Sequence, residues 1–397
     1  MSFFPEGALG AYNGLNGLNG LNGLNGLNGL NGLNGLNGLN GLAANGGESP
    51  LLAEALLTTR DGIVGTRLDD ISPVEPGLPD SVKNLVRLSA GERAAIYQSI
   101  LGPSVDITVR TGKRQPTAIL WRRGAETGKD RSVSFEKMVS LKAPTVDQFR
   151  IQLDQVSGYA QIRQDRAAEI VAQLGVPTPF FASVNFLNGA RTPYTLEFLF
   201  AALSFSLPVI QRMKFALAIK RPIEFSPQIQ PMIPTPTHGS LPSGHATEAF
   251  LMARLLWKIL IESKTPQYND RAYWGDMLMR LAARIAINRT VAGVHFPVDS
   301  VAGALLGLTM ADHVSALSGG PAWTSATFDG PSFDPAEDFD WHALYSAADD
   351  RQKRESATGG KIWATAEDHS TPRTRVKSEI LEWLRAKAVD EWRDLHD

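Results

Sequence analysis

The chain has 397 residues, of which 43% are hydrophobic and 20% charged. This composition is close to average globular usage, allows one large domain or two ordinary ones, and excludes wholesale disorder or a fibrous repeat. The 39 basic and 41 acidic residues leave a net charge of -2, so charge gives no reason to expect nucleic acid or an anionic membrane surface as a partner. Because the chain has no cysteine, it cannot form disulfides, thiolate nucleophiles or thiolate metal sites.

The N-terminal region is a simple repeat. Its first residues lack a basic segment followed by an apolar run and a cleavage site, so we expect no secretory signal and, by default, a soluble cytoplasmic protein. Residues 13–42 are ten consecutive copies of Asn-Gly-Leu, which offer only leucine for a core. The sequence therefore predicts a disordered tail over residues 1–50, with a self-associating tail as the alternative.

Helical periodicity dominates the rest of the chain. The predicted helices are Ser81–Ile100, Val146–Leu174, Pro193–Lys220, Ala246–Glu262, Arg271–Asn288 and Val298–Leu317. Polar residues and Pro208 interrupt the most apolar stretch, residues 198–219, which favours a buried helix over a membrane span. A β-like stretch covers Asp106–Trp121. We predict a helical domain at 51–320, with a motif-bearing core at 193–317, and a peripheral C-terminal extension at 321–397.

The first candidate motif is a pair of cations. Lys214 and Arg221 lie seven residues apart, which places them on one helix face about two turns from each other. Pro222 disfavours the α conformation at Arg221, so the helix should end there. Both side chains can reach one pocket, although such a pair alone is most often a solvated face.

The second motif is Pro242-Ser243-Gly244-His245, directly before a helical pattern. Ser243 is a natural N-cap, and the amides at Gly244 and His245 would then form an anion site at the positive end of a helix. Glycine would let an oxyanion approach the backbone closely. A purely structural helix start explains Ser243 equally well, but it does not explain His245.

The third motif combines a cation with a histidine and a carboxylate. Arg289 can clamp anion oxygens with its planar fork. Asp299 follows His295 by four residues and can accept a ring N–H, which makes the other ring nitrogen a better nucleophile or metal ligand. Alone, this histidine–aspartate spacing is more often a surface pair.

In their order along the chain, the three motifs resemble those of the superfamily that unites type 2 phosphatidic acid phosphatases, bacterial acid phosphatases and vanadium-dependent haloperoxidases. One departure is Asn288, where the phosphatase pattern usually has serine before arginine. The sequence "PSGHAT" and His238 look like the algal bromoperoxidases, so the chain is most similar to soluble bacterial and algal haloperoxidase-like members. The resemblance implies an all-α helical bundle with little β-structure and an anion site between helices.

The resemblance implies a haloperoxidase that oxidises halide, bromide rather than chloride, with hydrogen peroxide at a bound vanadate. In that reading His295 is the metal ligand, His245 manages protons, Lys214 polarises peroxide, and His238 tunes their surroundings or is an ordinary loop histidine. The residues implied to hold the vanadate oxygens are Lys214, Arg221, Ser243, Gly244 and Arg289.

Two alternatives stay open. One is a soluble acid phosphatase with phosphate in place of vanadate, in which His295 attacks a phosphomonoester, Asp299 orients His295, and His245 protonates the leaving alcohol. The other is an inactive helical scaffold that displays the repeat tail. No membrane span is expected, and a homo-oligomer is compatible with each reading.

Overall fold

The computed structural model describes residues 50–64, 77–111, 115–127, 132–370 and 377–394. Nearly all of the predicted disordered tail, residues 1–49, therefore lies outside the described residues. The helices are α1 (Pro50–Val64), α2 (Ala90–Leu101), α3 (Val146–Tyr159), α4 (Arg163–Ala172), α5 (Thr178–Ala182), α6 (Pro193–Leu217), α7 (Pro222–Phe225), α8 (Gly244–Ser263), α9 (Arg271–Val291), α10 (Pro297–Leu317) and α11 (Glu379–Asp394). The strands are β1 (Val105–Arg110), β2 (Thr117–Thr127), β3 (Ser132–Lys142), β4 (Ala322–Asp329), β5 (Tyr345–Ser346), β6 (Arg351–Gln352), β7 (Glu355–Thr358) and β8 (Lys361–Ser370).

The prediction of an all-α bundle with little β-structure is wrong. The described residues contain a six-stranded sheet of order β1-β2-β3-β4-β8-β7 and a separate pair, β5-β6. Only the β3–β4 pairing in the large sheet is parallel. That pairing joins Val139 to Ala326 and Lys142 to Asp329, and local sequence patterns do not show which distant strands pair.

The predicted helices are largely present, but two of them are interrupted. The pattern at 81–100 divides into a 3-10 helix at Val82–Arg87 and α2, whose start is fixed by a capping box between Ser89 and Glu92. A 3-10 turn at Ala160–Ile162 separates α3 from α4. The predicted β-like stretch is a hairpin made of β1 and the first part of β2.

Helix α10 lies at the centre of the molecule. Every residue from Pro297 to Leu317 is buried, its polar side chains included, so the helix has no solvent-facing stripe. Its two glycines let it approach α8 closely. A Cβ built at Gly303 would lie 2.6 Å from Ser243 O, and one built at Gly307 would lie 2.2 Å from Thr247 O. Only residues without a side chain fit at this helix crossing.

The C-terminal extension packs against the helical core. Its strands β4, β7 and β8 complete the large sheet, and α11 covers the N-terminus of α6. The Glu391 carboxylate accepts hydrogen bonds from Tyr194 N at 2.6 Å and Thr195 N at 2.8 Å. These bonds satisfy two of the free N–H groups at the start of α6, which Thr192 does not cap with its side chain. The proposed boundary at residue 320 stays a prediction.

Two segments, Pro193–Phe225 and Pro297–Leu317, are long and apolar enough to cross a membrane by length and composition. The second is wholly buried inside the protein and the first mostly so. Core helices of soluble proteins have the same properties. The expectation of a soluble chain without a membrane span therefore stays a prediction.

The contact between α8 and α10 can be tested with Gly307→Ala. The added methyl group must displace Thr247 O, so we expect a loss of about 1–3 kcal/mol in the free energy of unfolding, as for other overpacked cores. Gly158→Ala in α3 is the matched control, because a Cβ there meets no atom within 4 Å. Chemical denaturation measures both variants. Equal stability of the two would contradict the close helix contact.

Candidate active site

The three sequence motifs meet at one cavity of about 140 Å³. Its polar wall comes from α6, α8, α9 and the loops before α8 and α10, and its apolar wall includes Leu174, Leu207, Ile210, Ile233 and Val294. Seven of the predicted site residues line it: Lys214, Arg221, His238, Gly244, His245, Arg289 and His295. Elements far apart in the chain thus bring cations and imidazoles around one space.

His295 is held by a carboxylate behind it. Its Nδ1 lies 3.0 Å from Asp299 Oδ2, an oxygen that also accepts hydrogen bonds from Phe296 N at 2.9 Å and from the Ser240 hydroxyl. Burial raises the pKa of Asp299 to about 6, so at neutral pH the carboxylate is ionised and accepts the Nδ1–H. The lone pair of His295 is therefore on Nε2.

The loop before α8 is tied to the same aspartate through the backbone. Ser243 N donates to Asp299 O at 2.9 Å, and the Ser243 hydroxyl caps α8 by accepting from Ala246 N at 3.4 Å. The predicted N-cap is confirmed. Ser243 itself is fully buried and stands behind the cavity wall, whereas Gly244 forms part of that wall.

Arg221 lies between two histidines. It has the extended backbone conformation expected before Pro222, with φ -78° and ψ 158°. Its NH1 donates to His295 Nε2 at 2.9 Å and to Val294 O at 2.7 Å, and its NH2 lies 3.0 Å from His238 Nδ1. Burial lowers the pKa of His238 to about 4, so its ring is neutral. The structure thus places His238 against Arg221.

Lys214 projects from the last turn of α6 into the cavity wall. Its Nζ donates to Gly239 O at 3.0 Å and Ser240 O at 2.9 Å, which leaves one of its three N–H groups for a ligand. Burial, followed by the charge of Arg221, lowers its pKa well below the ordinary lysine value. A bound anion would favour the charged form.

Arg289 offers the clearest capacity to bind an anion. Its NH2 donates to Gln173 Oε1 at 2.9 Å and Ile170 O at 3.2 Å, but its Nε and NH1 are buried without a partner in the described part of the chain. Leaving a buried donor unpaired costs about 1–3 kcal/mol. Two such nitrogens at a cavity wall, with three N–H groups between them, indicate that a ligand with acceptor oxygens belongs there.

Gln173, on the turn after α4, connects several site residues. Its carbonyl accepts from His245 Nε2 at 3.0 Å, so the exchangeable proton site of that ring is Nδ1. Its side-chain Oε1 accepts from both Arg289 and Asn288 Nδ2, the latter at 3.0 Å. Asn288, which departs from the phosphatase pattern, therefore supports the arginine through Gln173.

Sequence reasoning missed Gln173, Ser240 and Glu248. Ser240 lies within the stretch from His238 to His245 and could have been suspected from its neighbours. Gln173 sits in an ordinary helical pattern and carries no detectable signal. Glu248, on the first turns of α8, lines the cavity as well.

Comparison with known families agrees with this geometry. Residues 194–319 match the PAP2 superfamily. This part of the chain belongs to that superfamily. No curated protein sequence matches the chain. Similar solved structures include the transmembrane PAP2 type phosphatidylglycerolphosphate phosphatase from Bacillus subtilis, which is 17% identical, covers 43% of this chain and 83% of its own, and has a TM-score of 0.28.

Arg289→Lys tests whether the unpaired N–H groups of the Arg289 guanidinium bind an anion. Lysine keeps the charge but loses the fork, so we expect affinity for inorganic phosphate to fall about tenfold to hundredfold, the value of one or two charge-assisted hydrogen bonds. Isothermal titration calorimetry measures the affinity. Arg280→Lys on the same helix is the control, since its side chain is 65% exposed and pairs with Asp276. Unchanged phosphate affinity in Arg289→Lys would contradict the assignment.

Proposed function

We propose that the chain hydrolyses phosphomonoesters through a covalent phosphohistidine at His295. The observation that carries this proposal is the orientation of the His295 ring. Asp299 holds Nδ1, and Nε2 stands at the wall of the cavity that Lys214, Arg221 and Arg289 also line. The family match covers these residues and supports a phosphatase reading.

The first step would be attack by His295 on phosphorus. Burial, and next the charge of Arg221, lowers the pKa of His295 well below its ordinary value, so the ring is neutral and nucleophilic at neutral pH. In the structure Arg221 NH1 donates a hydrogen bond to the Nε2 lone pair. A phosphoryl oxygen would accept that N–H instead and so release the lone pair for attack.

Charge on the phosphoryl oxygens would be met by groups already in place. Arg289 offers the N–H groups of two unpaired nitrogens and Lys214 offers one N–H, and the amide end of α8 lies at Gly244. These donors need no rearrangement to meet the negative charge of the transition state, which is the main requirement for phosphoryl transfer.

His245 is suited to move the proton. Burial, followed by the charge of Arg289, lowers its pKa well below the ordinary value in the empty site. An incoming phosphate offsets the cations and raises that pKa again. As the bond from phosphorus to His295 Nε2 forms, the bond to the alcohol oxygen breaks and His245 protonates that oxygen. Water activated by His245 would then attack the phosphohistidine and release phosphate.

The alcohol half of the substrate would meet the apolar wall. Leu174, Ile210 and Ile233 lie on the same cavity as the cations. An aryl or alkyl group can bury against them while the phosphate occupies the polar end. An aryl phosphate such as p-nitrophenyl phosphate is therefore a suitable probe.

Vanadate-dependent halide oxidation is the second candidate. It is favoured by His238, which lines the same cavity but has no role in the phosphatase scheme. The residues fit vanadate, because His295 Nε2 could bind the metal while Arg289 and Lys214 hold its oxygens. Bound vanadate would supply the chemistry for oxidation of bromide by hydrogen peroxide. His245 would then hold or release a proton beside it.

Paired assays on histidine variants test the proposal. We expect the wild-type chain to hydrolyse p-nitrophenyl phosphate, with orthovanadate as inhibitor, and His295→Ala to lose all turnover because the nucleophile is gone. His245→Ala should lower kcat by about 10²- to 10⁴-fold, the usual contribution of a general acid. In a separate binding measurement this variant should still bind vanadate. His342→Ala, whose side chain is 59% exposed, is the control.

The outcome also separates the two candidate functions. Bromide oxidation with peroxide and added vanadate, without phosphatase activity, would replace the first proposal by the second. Full phosphatase turnover in His295→Ala would exclude the phosphohistidine.

A further inference from the structure

The cavity contains an acidic side chain that neither reaction scheme uses. Glu248 follows His245 by three residues on α8, so both lie on the same face of that helix. The side chain lines the cavity, and the residue is 2% exposed. A carboxyl group inside an anion site is unexpected, because an ionised carboxylate would repel a phosphate.

The carboxyl group of Glu248 has an oxygen whose hydrogen-bonding capacity is not satisfied. Glu248 Oε2 is buried and has no hydrogen-bond partner among the described residues. A buried carboxylate without a partner is expensive, and protonation removes most of that cost. Burial indeed raises the pKa of Glu248 well above its ordinary value, while Lys214 acts in the opposite direction.

The charged and titratable groups around the cavity influence the protonation of Glu248. The groups that share the cavity wall with Glu248 are Lys214 from α6, Arg221 between α6 and α7, His238 from the loop before α8, His245 from α8, Arg289 from α9, and His295 before α10. Among them, the positive charge of Lys214 favours ionisation of Glu248. A bound oxyanion takes up that charge and places its own negative charge nearby, which favours the protonated carboxyl group.

We propose that Glu248 carries a proton in the anion-bound site and donates a hydrogen bond from it to an oxygen of the bound anion. The proposal rests on the proposed function, because it assigns a further donor to the same oxyanion pocket. With this role Glu248 determines the specificity of the site, because the site then binds the anion together with a proton. Loss of that proton at higher pH leaves a carboxylate against the anion and weakens binding.

Sulfate binding as a function of pH tests this role. Sulfate is tetrahedral and keeps one charge state from about pH 5 to about pH 9, so changes in its affinity report on the protein. Glu248→Gln keeps the size and an N–H donor but cannot titrate. Glu248→Met keeps the approximate size and has no donor. Glu337→Gln makes the same charge change at an exposed position outside the cavity wall.

Calorimetry measures the affinity for sulfate at each pH. Above the pKa of Glu248, we expect the affinity of wild type to fall with rising pH more steeply than that of Glu248→Gln. The difference should reach about tenfold per pH unit, because wild type binds one proton together with the anion. Glu248→Met should bind sulfate about tenfold more weakly at acid pH, where the lost donor counts most. Glu337→Gln should follow wild type. Circular dichroism and thermal melting verify that each variant is folded.

Two results would overturn the proposal and leave the anion site intact. One is a Glu248→Gln profile parallel to that of wild type. The other is weaker sulfate binding by Glu248→Gln than by wild type at every pH, which would mean that the ionised carboxylate acts through Lys214. If wild type binds no sulfate at any pH, the oxyanion pocket and the proposed function fail together with the role of Glu248.

Discussion

Three buried cations around one small cavity are the constraint on which the structure depends. Lys214, Arg221 and Arg289 are each 2% exposed or less, and burial lowers the pKa of both arginines to about 10. Charges buried in this way need counter-charges. Asp299, whose charge acts on Lys214 and Arg221, already accepts a hydrogen bond from His295, and the side chains of the three cations donate to neutral acceptors. The cavity therefore favours an oxyanion as its ligand.

The scaffold holds these charges in position through close packing and a second ionic network. At the glycine contacts of α10 with α8, Asp299 and the loop at Ser243 share a backbone hydrogen bond. Further along the same two helices, Arg254 on α8 pairs with Asp312 on α10 at 3.2 Å and with Asp350 from the C-terminal extension. Although burial opposes it, Lys258 and Arg254 lower the pKa of Asp312. The site lies at one end of a helix pair that this network joins to the rest of the chain.

The sequence predicted the site better than the fold. Spacing and proline chemistry are local, so the extended Arg221, the capped helix start at Ser243 and the proximity of His295 to Asp299 could all be anticipated. The order of the sheet could not be anticipated, because β3 and β4 pair although the helices α3 to α10 separate them in the chain. Gln173 was missed for the same reason, since its partners come from α8 and α9 and its own helix shows an ordinary pattern.

The most direct measurement is a crystal structure of the chain with bound tungstate, a heavy oxyanion of the same shape as phosphate. We expect one tungstate in the cavity, with the metal next to His295 Nε2 and its oxygens within hydrogen-bond distance of Lys214, Arg221 and Arg289. Tungstate bound elsewhere, or a cavity whose arginine N–H groups stay unpaired when tungstate saturates the crystal, would contradict the central claim.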